Sequence, residues 1–190
     1  MKRIAIYCGS KLGNRSQFTL DARKLGEVIA RESIELVYGG GCVGLMGVLA
    51  NAVLAKGGRV TGVIPTGLFT KEVAHAELTD LITVQDMHAR KAKMIQLSDG
   101  FIALPGGLGT MDEFFEVWTW CQLGIHNKPV GILNIDGYYD ALLTFLNQMT
   151  ECGFLDTVFL KQLYVDTDSE RLIQKLREHT PTRSKPTGVC

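Results

Sequence analysis

Three stretches of this chain carry residue types at spacings that suit a phosphorylated ligand. Residues 105–113 (PGGLGTMDE) place three glycines, Gly106, Gly107 and Gly109, ahead of a threonine and a carboxylate. Glycines let backbone N–H groups approach an anion, and a helix opening here would add the positive end of its dipole. The same letters fit a plain structural role. Thr110 with Glu113 three residues on reads as a capping box, in which each side chain satisfies the other's backbone N–H. Glu116 follows one turn beyond Glu113 on the same helix face. Residues 39–47 (GGGCVGLMG) are a second glycine run, which from Gly39 onward suits either a phosphate cradle or a tight turn with close helix–strand packing. The third stretch, His88-Ala89-Arg90-Lys91, puts two cations in the first turn of a helix, where the dipole disfavours positive charge. They form either a solvated basic face or a contact to phosphate or nucleobase.

Two familiar nucleotide motifs are excluded. A P-loop closes on GK[ST], and the corresponding residues here are Gly44, Leu45 and Met46. A dinucleotide loop wants an acid about 20 residues further on. That position falls at residues 63–65 (VIP), which hold none. The five cysteines (Cys8, Cys42, Cys121, Cys152 and Cys190) form no CxxC, and none pairs with a histidine at zinc-site spacing. Cys8, Cys42 and Cys121 lie in apolar stretches and read as small buried thiols.

The elements that must position these residues follow from hydrophobic patterning. Short apolar, β-branched runs at 3–8, 34–38, 59–64, 81–85, 101–104, 130–133 and 162–165 read as strands. Helices are expected at 16–32, 45–56, 87–97 behind the N-cap Asp86, 111–123, 138–152 and 169–178, with a short one at 71–76. This alternation predicts one doubly wound, Rossmann-like α/β domain, with a mostly parallel sheet and helices on both faces. Both glycine runs then fall at the carboxyl ends of strands, where such sheets bind ligands. One domain over residues 1–179 suits a chain of 190 residues, with a disordered tail at 180–190. Lys plus Arg (20) balance Asp plus Glu (20), which argues against nucleic-acid or membrane partners. The start, MKRIAIYCGS, has only four apolar residues in a row, so the cytoplasm is the expected location.

At the same residues the chain resembles the LONELY GUY (LOG) family of cytokinin-activating phosphoribohydrolases, often labelled lysine decarboxylases. The pattern PGGxGTxxE is met in full at 105–113. Also matching are CGS at 8–10, YGGGxxGLMG at 38–47, MHxRKxxM at 87–94 and TWxQLGIHxKPVGxLNxDGYY at 119–139. The resemblance implies hydrolysis of the N-glycosidic bond of a cytokinin riboside 5′-monophosphate, with neither metal nor organic cofactor. It implies Arg90 and Glu113 as the catalytic pair, with Glu72, Lys91, Gly107, Leu108, Gly109, Thr110, Met111, Asp112 and Thr119 contacting substrate. It also implies a homodimer, with the site near the subunit interface. Ser10, Gly40, Gly41, Gly106 and Glu116 are further candidates for phosphate or pocket contact. Two other readings compete: a nucleotide (AMP) carrier or sensor without turnover, and a pyridoxal-phosphate decarboxylase using Lys91 or Lys93 as the imine lysine.

Overall fold

Near-continuous apolar strands form the sheet, because both of its faces are covered. The computed structural model describes residues 1–68 and 74–179. Glu72, the first half of the helix expected at 71–76 and the tail at 180–190 lie outside the described residues, and residues 74–76 are not helical. Within them run seven strands: β1 (Arg3–Tyr7), β2 (Glu35–Tyr38), β3 (Val60–Pro65), β4 (Asp80–Val84), β5 (Gly100–Ala103), β6 (Val130–Leu133) and β7 (Leu163–Asp166). Their order is β4-β3-β2-β1-β5-β6-β7, and every neighbouring pair is parallel. The helices are α1 (Ser16–Arg31), α2 (Gly44–Ala55), α3 (Met87–Leu97), α4 (Leu108–Gln122), α5 (Asp140–Glu151), α6 (Thr157–Lys161) and α7 (Ser169–Arg177).

Strand alternation splits the core into two layers. Ile4 and Ile6 of β1 pack with Leu25, Ile29, Leu49 and Leu172 of α1, α2 and α7. Ala5 and Tyr7 point the other way, towards Met94, Phe114, Val117 and Leu146 of α3, α4 and α5. Among the described residues, no helix is long and apolar enough to cross a membrane.

The strand order reverses between β1 and β5, so the loops leaving them diverge and open a crevice at the carboxyl edge. Register pairs Tyr7 with Ala103, which brings the two strand ends level. The Gly9 N–H donates to the Pro105 carbonyl at 3.0 Å and the Leu104 N–H to that of Tyr7 at 2.9 Å. Residues 8–10 and 104–107 therefore exit side by side.

Two local expectations are corrected. Helix α4 starts at Leu108, and its N-cap is Gly107, whose extended backbone (φ −94°, ψ −153°) makes no side-chain cap. Thr110 is buried inside the first turn, so the capping box does not form. The five-residue α6, capped by the Asp156 side chain on the Val158 N–H, was not expected. It is too short to show a helical period.

The far edge is fixed electrostatically. Asp166 accepts from Arg171 Nη2 at 2.8 Å, pairs with Lys175 at 2.9 Å and accepts the Asp168 N–H at 2.9 Å. Burial alone would raise its pKa, but these partners hold the carboxyl far below the usual carboxylate range. A depressed folded-state pKa contributes stability above about pH 4 that is lost as pH falls through the folded value. Asp166→Asn is therefore expected to lower Tm at pH 7 by about 2–4 °C. The deficit should shrink at pH 2, where the carboxyl of the unfolded chain is protonated and most of the folded-state advantage is gone. Melting curves at both pH values check this, and a deficit independent of pH would contradict it.

Candidate active site

Helix α3 begins at Asp86, whose carboxylate accepts the Ala89 N–H at 2.8 Å. That cap aims the next turn, Arg90 and Lys91, at α4 across the crevice. Arg90 Nη2 lies 3.6 Å from Glu113 Oε1. Lys91 Nζ lies 3.1 Å from Asp112 Oδ2 and 3.1 Å from Glu116 Oε2. The two cations are only 8% and 11% exposed at their side chains, so a solvated basic face does not form. Carboxylates on a neighbouring helix offset the unfavourable dipole and allow both cations to be buried.

The two cations are placed differently. Lys91 is locked. Burial lowers its pKa, but hydrogen bonds and charge from Glu116 and Asp112 outweigh that and hold the ammonium above its ordinary value. An imine-forming lysine needs the opposite, a free amine near neutral pH. Lys93 is half-buried, and its Nζ donates to Gln96 Oε1 at 3.4 Å on the exposed side of its own helix. Neither environment fits a pyridoxal-phosphate Schiff base. Arg90 is less fully engaged: Nη1 donates to the Met87 sulfur at 3.6 Å, while Nε is buried with no hydrogen-bond partner among the described residues. A guanidinium keeps its proton, so its remaining donors suit a ligand.

A cavity of about 220 Å³ opens at this point, walled by Ser10, Arg90, residues 107–110, Asp112 and Glu113. Because Gly107 is the N-cap and the Met111 N–H is bonded to the Gly107 carbonyl at 3.1 Å, the N–H groups of Leu108, Gly109 and Thr110 have no partner within the helix. The Ser10 side of the wall is held by close packing. Gly44 adopts φ +61°, and a Cβ there would sit 2.2 Å from the Ser10 carbonyl carbon, so only glycine lets α2 start against this loop. The Leu45 N–H donates to the Gly9 carbonyl at 3.0 Å.

Of the residues expected from sequence, the structure gathers Ser10, Arg90, Gly107, Leu108, Gly109, Thr110, Asp112 and Glu113 around one cavity. Lys91 and Glu116 form the ion pair at its side. Gly106 lines an adjoining cavity of about 330 Å³ with Phe18 and Tyr138, whose hydroxyl donates to the Gly106 carbonyl at 2.6 Å. Met111 packs half-buried on the core, and Thr119 is exposed on α4, away from the cavity wall. Gly40 and Gly41 do not line it either. The Gly40 carbonyl accepts the His75 N–H at 3.1 Å, and Gly41 bridges to Ala74. Sequence reading missed Gly9 and the side chains of Cys8, Met46 and Met87 as lining residues. Their letters stand inside the CGS, GLMG and MHxRK motifs, but apolar side chains at core spacing read as core. Cys8 is a buried thiol, pushed up by burial and by the charge of Glu113, whereas Cys42 and Cys121 are half-buried.

A family model described as "Possible lysine decarboxylase" matches residues 46–176, a span containing both α3 and α4. A cytokinin riboside 5′-monophosphate phosphoribohydrolase of Arabidopsis thaliana is 44% identical over 184 residues, covering 97% of this chain and 86% of the relative. A second from the same plant is 45% identical over 189 residues, covering 99% and 88%. The chain belongs to the LOG family. Among solved structures, the molybdenum cofactor carrier protein of Chlamydomonas reinhardtii aligns with a TM-score of 0.70 at 20% identity, covering 93% of this chain and 96% of that one. That likeness is one of fold. The relative that covers 99% of this chain spans the whole described site, including β1 and Ser10, which precede the family-model match.

Proposed function

We propose that this chain hydrolyses the N-glycosidic bond of cytokinin riboside 5′-monophosphates, giving the free N6-substituted adenine and ribose 5-phosphate, with AMP as a further substrate. The observation that carries the reading is Glu113 beside Arg90, one turn past an uncapped helix start. The 5′-phosphate sits on the N–H groups of Leu108, Gly109 and Thr110 at the positive end of α4. Cleavage of a ribosyl C–N bond passes through an oxocarbenium-like state, as glycoside hydrolysis does. Glu113 stabilises the positive charge at C1′ and takes a proton from the attacking water. The water oxygen bonds to C1′, the C1′–N bond breaks, and the purine leaves with the bonding pair and takes a proton from solvent, to which Glu113 returns the one it accepted. Arg90 stays protonated and donates hydrogen bonds to the departing base. Lys91 fixes Asp112 and Glu116, which keeps the α4 carboxylates in place.

Relatives named for this reaction, about 45% identical, support it. A fold shared with a cofactor carrier does not decide between turnover and binding. The reading carries a homodimer with it, supported by Leu123 and Ile125, exposed at 66% and 60% just past α4. Sedimentation equilibrium tests that state directly. The four cysteines among the described residues are all free thiols, which supports a reducing compartment, the cytoplasm.

The substrate is tested by incubating the protein separately with AMP and with isopentenyladenosine 5′-monophosphate and following free base by chromatography. Faster release from the prenylated nucleotide is expected. Equal rates would make the protein a general nucleoside-monophosphate phosphoribohydrolase. Release from AMP alone would overturn the cytokinin assignment.

A further inference from the structure

We infer that Gly39 is a positioning residue for Arg90: the missing side chain is the seat that holds the guanidinium beside Glu113. This rests on the proposed role of Arg90 in hydrolysis. Gly39 follows β2 directly, and a Cβ built on it would lie 1.9 Å from Arg90 Nη2 and 3.0 Å from Cζ. The next neighbour, the Met46 sulfur, is at an ordinary 3.5 Å. Gly40, by contrast, has φ +80°, whereas Gly39 is outside the left-handed region. Alanine at 39 is therefore compatible with the backbone, and the conflict falls on the end of one side chain.

That side chain has little room to yield. Arg90 is 8% exposed, with Nη1 on the Met87 sulfur and Nη2 facing Glu113. A methyl at position 39 displaces the guanidinium by an ångström or more, away from the alignment that the leaving base requires. Misplacement on that scale costs up to about 10²-fold in rate. The first glycine of the second run thus serves the catalytic arginine, through space left empty.

The test is a double-mutant cycle of Gly39→Ala with Arg90→Lys, which keeps the charge but has no Nη2. With Arg90 present, Gly39→Ala is expected to lower kcat about 10–100-fold, to change KM less than about threefold and to lower Tm by about 2–4 °C. In the Arg90→Lys background it should change neither the residual rate nor Tm. Gly67→Ala, at a site where no described residue comes within 4 Å of the added Cβ, should match wild type. Wild-type kcat in Gly39→Ala, or losses that multiply in the double variant, would overturn the inference. If wild type cleaves no nucleotide, the hydrolytic reading fails by itself. The thermal half of the cycle then still decides whether Gly39 seats Arg90.

Discussion

Glu113→Gln is expected to reduce base release by about 10²–10⁴-fold while leaving nucleotide binding within a few-fold of wild type. The substitution keeps the shape of the side chain and removes its charge. Glu113 lines the cavity and faces Arg90 Nη2 at 3.6 Å, so the lost charge is the one that would stand beside C1′. A glutamine there neither stabilises an oxocarbenium nor accepts a proton from water. The proposed phosphate-binding groups are backbone N–H groups on the preceding turn of α4, which the substitution does not touch. The effect should therefore appear in kcat. Steady-state kinetics with isopentenyladenosine 5′-monophosphate, paired with titration calorimetry using AMP, separates the two terms. A variant that turns over within a few-fold of wild type would remove Glu113 from the chemistry.

The second large effect concerns the substrate. Removing the 5′-phosphate, by offering adenosine in place of AMP, is expected to lower kcat/KM by about 10³-fold or more. Three first-turn N–H groups lack partners within α4, and the helix dipole adds to their pull on an anion. Hydrogen bonds to a charged group contribute roughly 1.5–3 kcal/mol each, and a loss of about 4 kcal/mol corresponds to roughly 10³-fold. Part of the loss should fall on kcat, because the phosphate also fixes C1′ against Glu113. Equal turnover of adenosine and AMP would contradict the assignment of the α4 start as the phosphate site.

The strands were legible because a doubly covered sheet requires unbroken apolar runs, and IAIY and FIAL have no other home in a chain of this size. Arg90 and Glu113 were legible as motif letters, and the fold brings their side chains together. The start of α4 was misread because Thr110 and Glu113 have the spacing of a capping box. What sets the boundary is the extended backbone of Gly107, which composition does not reveal. The state of Lys91 was also hidden. Its partners Asp112 and Glu116 are 21 and 25 positions away and meet it only when α3 and α4 pack on the same face of the sheet. Gly39 read as part of a phosphate cradle, since a glycine that makes room for another residue's guanidinium looks the same in sequence as one that makes room for an anion.

The most direct test of the central claim follows wild-type protein with isopentenyladenosine 5′-monophosphate, quantifying isopentenyladenine by chromatography and ribose 5-phosphate by mass spectrometry in the same samples. Both products are expected to accumulate in equal amounts, over many turnovers per subunit. Nucleotide that binds yet remains intact would contradict it and make the protein a carrier or sensor.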